Sequence, residues 1–137
     1  MGRARKAISL TAICVVLAAC SSAPGDREPT RETYSGMYTL TARPGLDPLV
    51  INQIHEWTLH VETPDGRPVE NARIMVEGDM PEHQHGLPTN PEVTRNLGDG
   101  DYLVEGMKFN MPGAWELTFT VTADAGSDAA TFELVLE

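Results

Sequence analysis

Beyond residue 34 the chain alternates apolar and polar positions with a period of two. Trp115, Leu117, Phe119 and Val121 alternate with Glu116, Thr118, Thr120 and Thr122, the pattern of a strand with one face in the core and the other in water. Trp57, Leu59 and Val61 repeat it against Glu56, Thr58, His60 and Glu62, and Ala72, Ile74 and Val76 against Arg73, Met75 and Glu77. Tyr102 with Val104, Phe132 with Leu134, and a first strand near Met37 to Ala42 continue the series. Turn chemistry separates these runs at Pro64-Asp65-Gly66, Gly98-Asp99-Gly100 and Asp124-Ala125-Gly126-Ser127, where Pro presets φ and Gly supplies positive φ. No stretch has the period of a long helix. About seven short strands at this spacing predict an all-β fold, an antiparallel sandwich of immunoglobulin-like architecture over residues 34–137.

The N-terminus follows a different rule. Arg3, Arg5 and Lys6 precede an uncharged apolar run from Ala7 to Ala19, too short for a spanning helix, which needs about 20 apolar residues. Basic flank, short apolar stretch and small residues before a cysteine define a signal peptide over 1–19. Leu17-Ala18-Ala19-Cys20 resembles the lipobox of bacterial lipoproteins, which implies cleavage before Cys20 and its acylation. Residues 20–33, rich in Ser, Pro, Gly, Thr and charge, have no apolar period and read as a flexible tether spanning on the order of 20 Å. The expected location is therefore the cell envelope, with the domain lipid-anchored to a membrane and facing the periplasm or the cell exterior.

Cleavage changes both the charge and the sulfur inventory. It removes three of the ten basic residues and none of the twenty acidic ones, so seven bases face twenty acids and the mature formal charge is −13. Such a surface repels nucleic acid and anionic headgroups, which leaves the acyl chains, at about 0.8 kcal/mol per buried methylene, as the membrane attachment. Of the two cysteines, Cys14 leaves with the signal and Cys20 carries lipid. No thiol remains for a disulfide, a nucleophile or a thiolate ligand.

Candidate chemistry lies where the strand pattern breaks. Gly78-Asp79-Met80-Pro81-Glu82-His83-Gln84-His85-Gly86-Leu87-Pro88-Thr89 has two prolines and two glycines and is expected to be a loop. In an extended backbone, His83 and His85 point to the same side, where two imidazoles can converge on one ion. Downstream, Met107, Phe109 and Met111 share one parity before the Trp115 strand. Imidazole suits either copper oxidation state and thioether sulfur favours Cu(I), so Met80, His83, His85, Met107 and Met111 form a candidate copper set at one end of the sandwich.

The ordered combination of Met80-Pro81-Glu82-His83-Gln84-His85-Gly86, Gly100-Asp101-Tyr102-Leu103-Val104 and Phe109-Asn110-Met111-Pro112-Gly113-Ala114-Trp115 resembles the YtkA-like and FixH-like family of small extracytoplasmic domains, over about residues 46 to 136. The resemblance implies the sandwich, and it implies copper handling or oxidase assembly as associated roles. Relatives often look richer in methionine in the first loop. Here Glu82 and Gln84 flank the histidines, which leaves Cu(II) open beside Cu(I), with zinc behind copper.

Each candidate has a plainer reading. His83 and His85 can simply hydrogen-bond loop carbonyls; Met107 and Met111 can be gap-filling core residues, which makes Met80 the preferred thioether; Trp57 and Trp115 are core anchors. His55 shares the parity of Trp57 and is expected to be at least partly buried, whereas His60 faces solvent. Asp99 and Asp101 lack the ordered oxygens of a calcium loop. Without a thiol, a serine in a His-carboxylate context or the general base and third fixed ligand of a zinc hydrolase, the expectation is a binding protein and not an enzyme. The competing class is a non-metal accessory module that docks a membrane protein complex, such as an efflux system or an oxidase under assembly.

Overall fold

A computed structural model of the chain describes residues 29–137, all in strands, turns and irregular segments. Cys20 and the segments expected to form the signal peptide and most of the tether lie outside the described residues. Among the described residues nine strands appear in chain order: β1 (Thr30–Glu32), β2 (Thr39–Pro44), β3 (His55–Glu62), β4 (Arg73–Met80), β5 (His85–Gly86), β6 (Glu92–Gly98), β7 (Asp101–Met107), β8 (Gly113–Ala123) and β9 (Gly126–Leu136). They form two antiparallel sheets, of order β1-β2-β3-β7-β6 and β5-β4-β8-β9. Without the two shortest strands, the orders β2-β3-β7-β6 and β4-β8-β9 correspond to the ABED and CFG sheets of a constant-type immunoglobulin domain. The six strands located from the sequence are present, β6 is the seventh of the sandwich, and β1 and β5 extend one edge of each sheet.

Two expectations need correction. Thr30–Glu32, assigned from sequence to the tether, pairs with β2 in the register Thr30↔Thr41, Arg31↔Leu40 and Glu32↔Thr39, so folded structure begins before residue 34. Its side chains are all exposed; backbone pairing holds it, and no apolar pattern announces it. The segment 78–89 is not one loop. Gly78 to Met80 complete β4 and His85–Gly86 is β5, which leaves four residues in a hairpin turn.

The inward parity of both sheets builds one core. Leu59, Val61, Val104, Met107 and Leu40 from the first sheet meet Trp115, Leu117, Phe119, Val121 and Phe132 from the second. Complete burial of a large apolar side chain contributes about 1.5–3 kcal/mol, so this alternation is the main source of stability. Tyr102 ties the sheets at one crossover: its buried hydroxyl donates to the Val69 carbonyl at 2.6 Å and accepts from the Ala72 amide at 2.9 Å. Burial pushes its phenol pKa up.

Turn chemistry sets the hairpin registers. Asp99 and Gly100 have φ of 53° and 79°, the paired positive values of a type I′ turn, whose twist matches that of the flanking strands. Gly100 has a second reason to be glycine, since a Cβ there would lie 2.6 Å from the Val61 carbonyl oxygen. At the β8–β9 end, the Asp128 carboxylate accepts from the Ser35 amide at 2.9 Å, the Met37 amide at 3.3 Å and the Ala129 amide at 2.9 Å. Hydrogen bonding from the Thr33 side chain and from these amides holds its pKa below the usual carboxylate value. At the exposed Pro64-Asp65-Gly66 turn, hydrogen bonds from Arg67 and Thr63 lower Asp65 to about 2.

Candidate functional site

The four-residue turn between β4 and β5 builds the histidine pair. The His83 and Gln84 amides both donate to the Met80 carbonyl at 3.0 Å, and Gln84 takes a left-handed φ of 53°. His83 therefore lies in the turn and His85 in β5. Their rings do meet, with centroids 5.9 Å apart and planes 29° apart, but a tight turn brings them together and not the extended backbone expected from the one-residue spacing. Gly78 permits this hairpin. Its carbonyl accepts from the Leu87 amide at 3.0 Å, and a Cβ on it would stand 2.7 Å from Leu87 Cγ and 2.8 Å from Leu117 Cδ2.

His85 pairs across the ladder with Met80, which places both side chains on the same sheet face, toward the end of the core. There the half-buried His85 has two neighbours. Its ring lies edge-on to Trp115 at 6.1 Å and 70°, and its Nε2 is 3.1 Å from the Met111 sulfur. Trp115 in turn fixes Met111: the buried indole N–H donates to the Met111 carbonyl at 3.1 Å. One side chain thus serves as core anchor, as a wall beside His85 and as a brace for the methionine loop.

The five candidate ligands fall into two groups. His85 touches both the His83 ring and the Met111 sulfur, with His83 exposed and the other two half-buried. Met80 and Met107 are fully buried members of the core cluster. The Met80 methyl lies 3.0 Å from the position a Cβ on Gly113 would take, and Met107 pairs with His55 at the end of β3. The thioether whose sulfur lies against a histidine nitrogen is Met111, where sequence favoured Met80. Among the described residues, no three of His, Cys, Asp and Glu gather closely enough to hold a metal ion.

One pair of donors, His85 Nε2 and the Met111 sulfur at 3.1 Å, meets a simple geometric test. With bonds of about 2.0 Å to nitrogen and about 2.3 Å to sulfur, donor atoms 3.1 Å apart subtend an angle of about 90° at a shared ion.

The next residue inward is His55, which the sequence placed only as an at least partly buried histidine. His55 is buried, its Nδ1 lies 3.1 Å from the Gln53 carbonyl, and its Nε2 has no hydrogen-bond partner. Its ring is 5.8 Å from Phe109, which is 5.2 Å from Trp115. A continuous row of rings therefore joins the surface histidines to the core. The parity with Trp57 predicts burial of His55, but not this row, which needs a contact between the two sheets. His60 is half-buried and satisfied on both nitrogens, by Asp101 at 2.7 Å and Glu62 at 3.2 Å.

Fold and site together define a small immunoglobulin-like sandwich with an imidazole-thioether cluster at one end. The chain belongs to the YtkA-like family, whose model matches residues 44–120, a stretch that runs from the end of β2 into β8 and contains all five candidate ligands. No curated protein and no solved structure matches it.

Proposed function

We propose that this protein binds a copper ion through His83, His85 and Met111 and buffers or delivers it at a membrane surface. The observation that carries the reading is the 3.1 Å approach of His85 Nε2 to the Met111 sulfur, at an end of the sandwich where His83 stays accessible. Two imidazoles and a thioether suit copper better than zinc, because soft sulfur stabilises Cu(I) while imidazole serves both oxidation states. Few protein ligands and an open face favour exchange of the ion with a partner. The lipobox at Cys20 supports a tether to the envelope membrane, and the acidic composition disfavours nucleic acid as a partner. The reading assigns binding and no reaction.

The test is titration with Cu(I) and Cu(II) of the native chain and of His83→Ala/His85→Ala. One ion bound tightly by the native protein and lost by the folded double variant is the expected result. Equal, weak binding by both would make the turn structural and overturn the copper reading in favour of an accessory module that binds a membrane complex without metal.

A further inference from the structure

The outer edge of β4 is open. β5 covers only its last two residues, in the pairs Asp79↔Gly86 and Met80↔His85. Because the Gly78 carbonyl points away from β8 to accept from Leu87, the alternate residues Ile74 and Val76 also aim their backbone N–H and C=O groups at this edge. Among the described residues nothing pairs with them. A groove of about 770 Å³ runs along the edge, bounded on its far side by Leu87 and by Thr89 to Val93.

We propose that this edge pairs with the same edge of a second copy, β4 against β4 in antiparallel register about Met75. In that register alone the edge is self-complementary without calling on a residue already paired with β5. It sets Arg73 of each copy opposite Glu77 of the other on the solvent face, and Ile74 opposite Val76 on the core face. Met75, 54 % exposed, meets its own copy on the two-fold axis. Ile74 and Val76 then exchange reciprocal N–H···O bonds, as a hydrogen-bonded antiparallel pair requires, and their side chains enter the groove beside Leu87 and Val93. Moving the axis to Val76 would call on Asp79, already paired with β5; moving it to Ile74 would leave Arg73 opposite Met75 and remove the charge match.

The edges at β6 and β9 do not offer the same surface. β6 carries two irregularities, between Val93 and Arg95 and between Asn96 and Gly98, which interrupt regular pairing. On β9 the Ala129 carbonyl already accepts from the Tyr34 amide, and the strand carries Asp128 and Glu133 with no basic residue, so a self-pair gains no opposite charge. This inference is independent of the copper site.

The test is sedimentation of the full chain, with Cys14→Ser and Cys20→Ser, over a concentration series that reaches the millimolar range. A monomer–dimer equilibrium is expected, and Arg73→Glu should weaken it about tenfold by opposing like charges in both symmetric pairs. The exchange Arg73→Glu/Glu77→Arg should restore it. In the same background Met75→Cys should form an intermolecular disulfide under mild oxidation, because directly opposed non-hydrogen-bonded residues lie about 4.5 Å apart at Cα. A monomer throughout, or a dimer indifferent to Arg73→Glu and without the Met75→Cys crosslink, overturns the proposal; a monomer would also direct the search to a foreign extended peptide on β4.

Discussion

The two ends of the β4-β8-β9 sheet handle polar groups in opposite ways. At the β8–β9 hairpin end, one carboxylate, Asp128, collects the Ser35, Met37 and Ala129 amides, and the Tyr38 hydroxyl donates to the Gly126 carbonyl at 2.8 Å. At the other end, His85 faces a thioether sulfur and His83 projects into solvent. The first arrangement joins charge to hydrogen-bond donors and locks the chain entry onto the sheet. The second leaves nitrogen and sulfur beside each other, a weak pairing for two protein groups and a good one for a soft ion. His60 sharpens the contrast: its nitrogens both face carboxylates.

The largest effect should come from the brace of the open end. Trp115→Ala removes a fully buried side chain from the core and should cost about 3–5 kcal/mol in denaturant unfolding. It should also weaken copper binding in the fraction that remains folded, because Met111 loses its indole anchor. Trp115→Phe separates the two roles, retaining most of the packing while deleting the N–H donor. Full copper affinity in Trp115→Phe would show that the anchor does not matter to the site.

Acid should act on the closed end. The folded Asp128 pKa lies below its ordinary value near 3.9, so its stabilising contribution is complete above that unfolded value and is lost as pH falls through the folded one. Asp128→Asn should therefore be less stable than the native chain at pH 7, with the gap closing as pH drops below about 4. Asp65 titrates in both proteins and cancels in the difference. A gap independent of pH would remove the carboxylate from the account of this end.

The same contrast explains what the sequence made legible. The strands β2, β3, β4, β7, β8 and β9 could be read because each has a buried parity, as with Trp115, Leu117, Phe119 and Val121. β6 has none: only Val93 and Gly98 are even half-buried among its seven residues, since it is an edge strand held by backbone pairing to β7. The histidine pair was visible as a motif, but its geometry depends on the left-handed Gln84, and a non-glycine residue in that region carries no strong sequence mark. Met80 stood nearest the histidines along the chain and seemed the natural thioether. Its parity on β4 sends it into the core, and the sulfur that meets His85 comes from 26 residues away. That contact depends on how β8 lies against β4 and β5, which local patterning does not encode.

The smallest effect on stability is expected at Met111, and it makes the closest test of the comparison. Leucine nearly matches methionine in volume, and such swaps in cores cost under about 1.5 kcal/mol; at the half-buried Met111 the cost should fall below that. What changes is the donor atom. Met111→Leu leaves His83, His85 and Trp115 in place and removes only sulfur, so the Tm should hold while Cu(I) affinity falls about tenfold, with Cu(II) affected less because its binding relies more on imidazole. Met80→Leu is the matching control for a thioether buried in the core, and it should leave both affinities unchanged. Equal losses in the two variants would assign the ion to a deeper position between the sheets, and no loss in either would leave the histidines binding without sulfur.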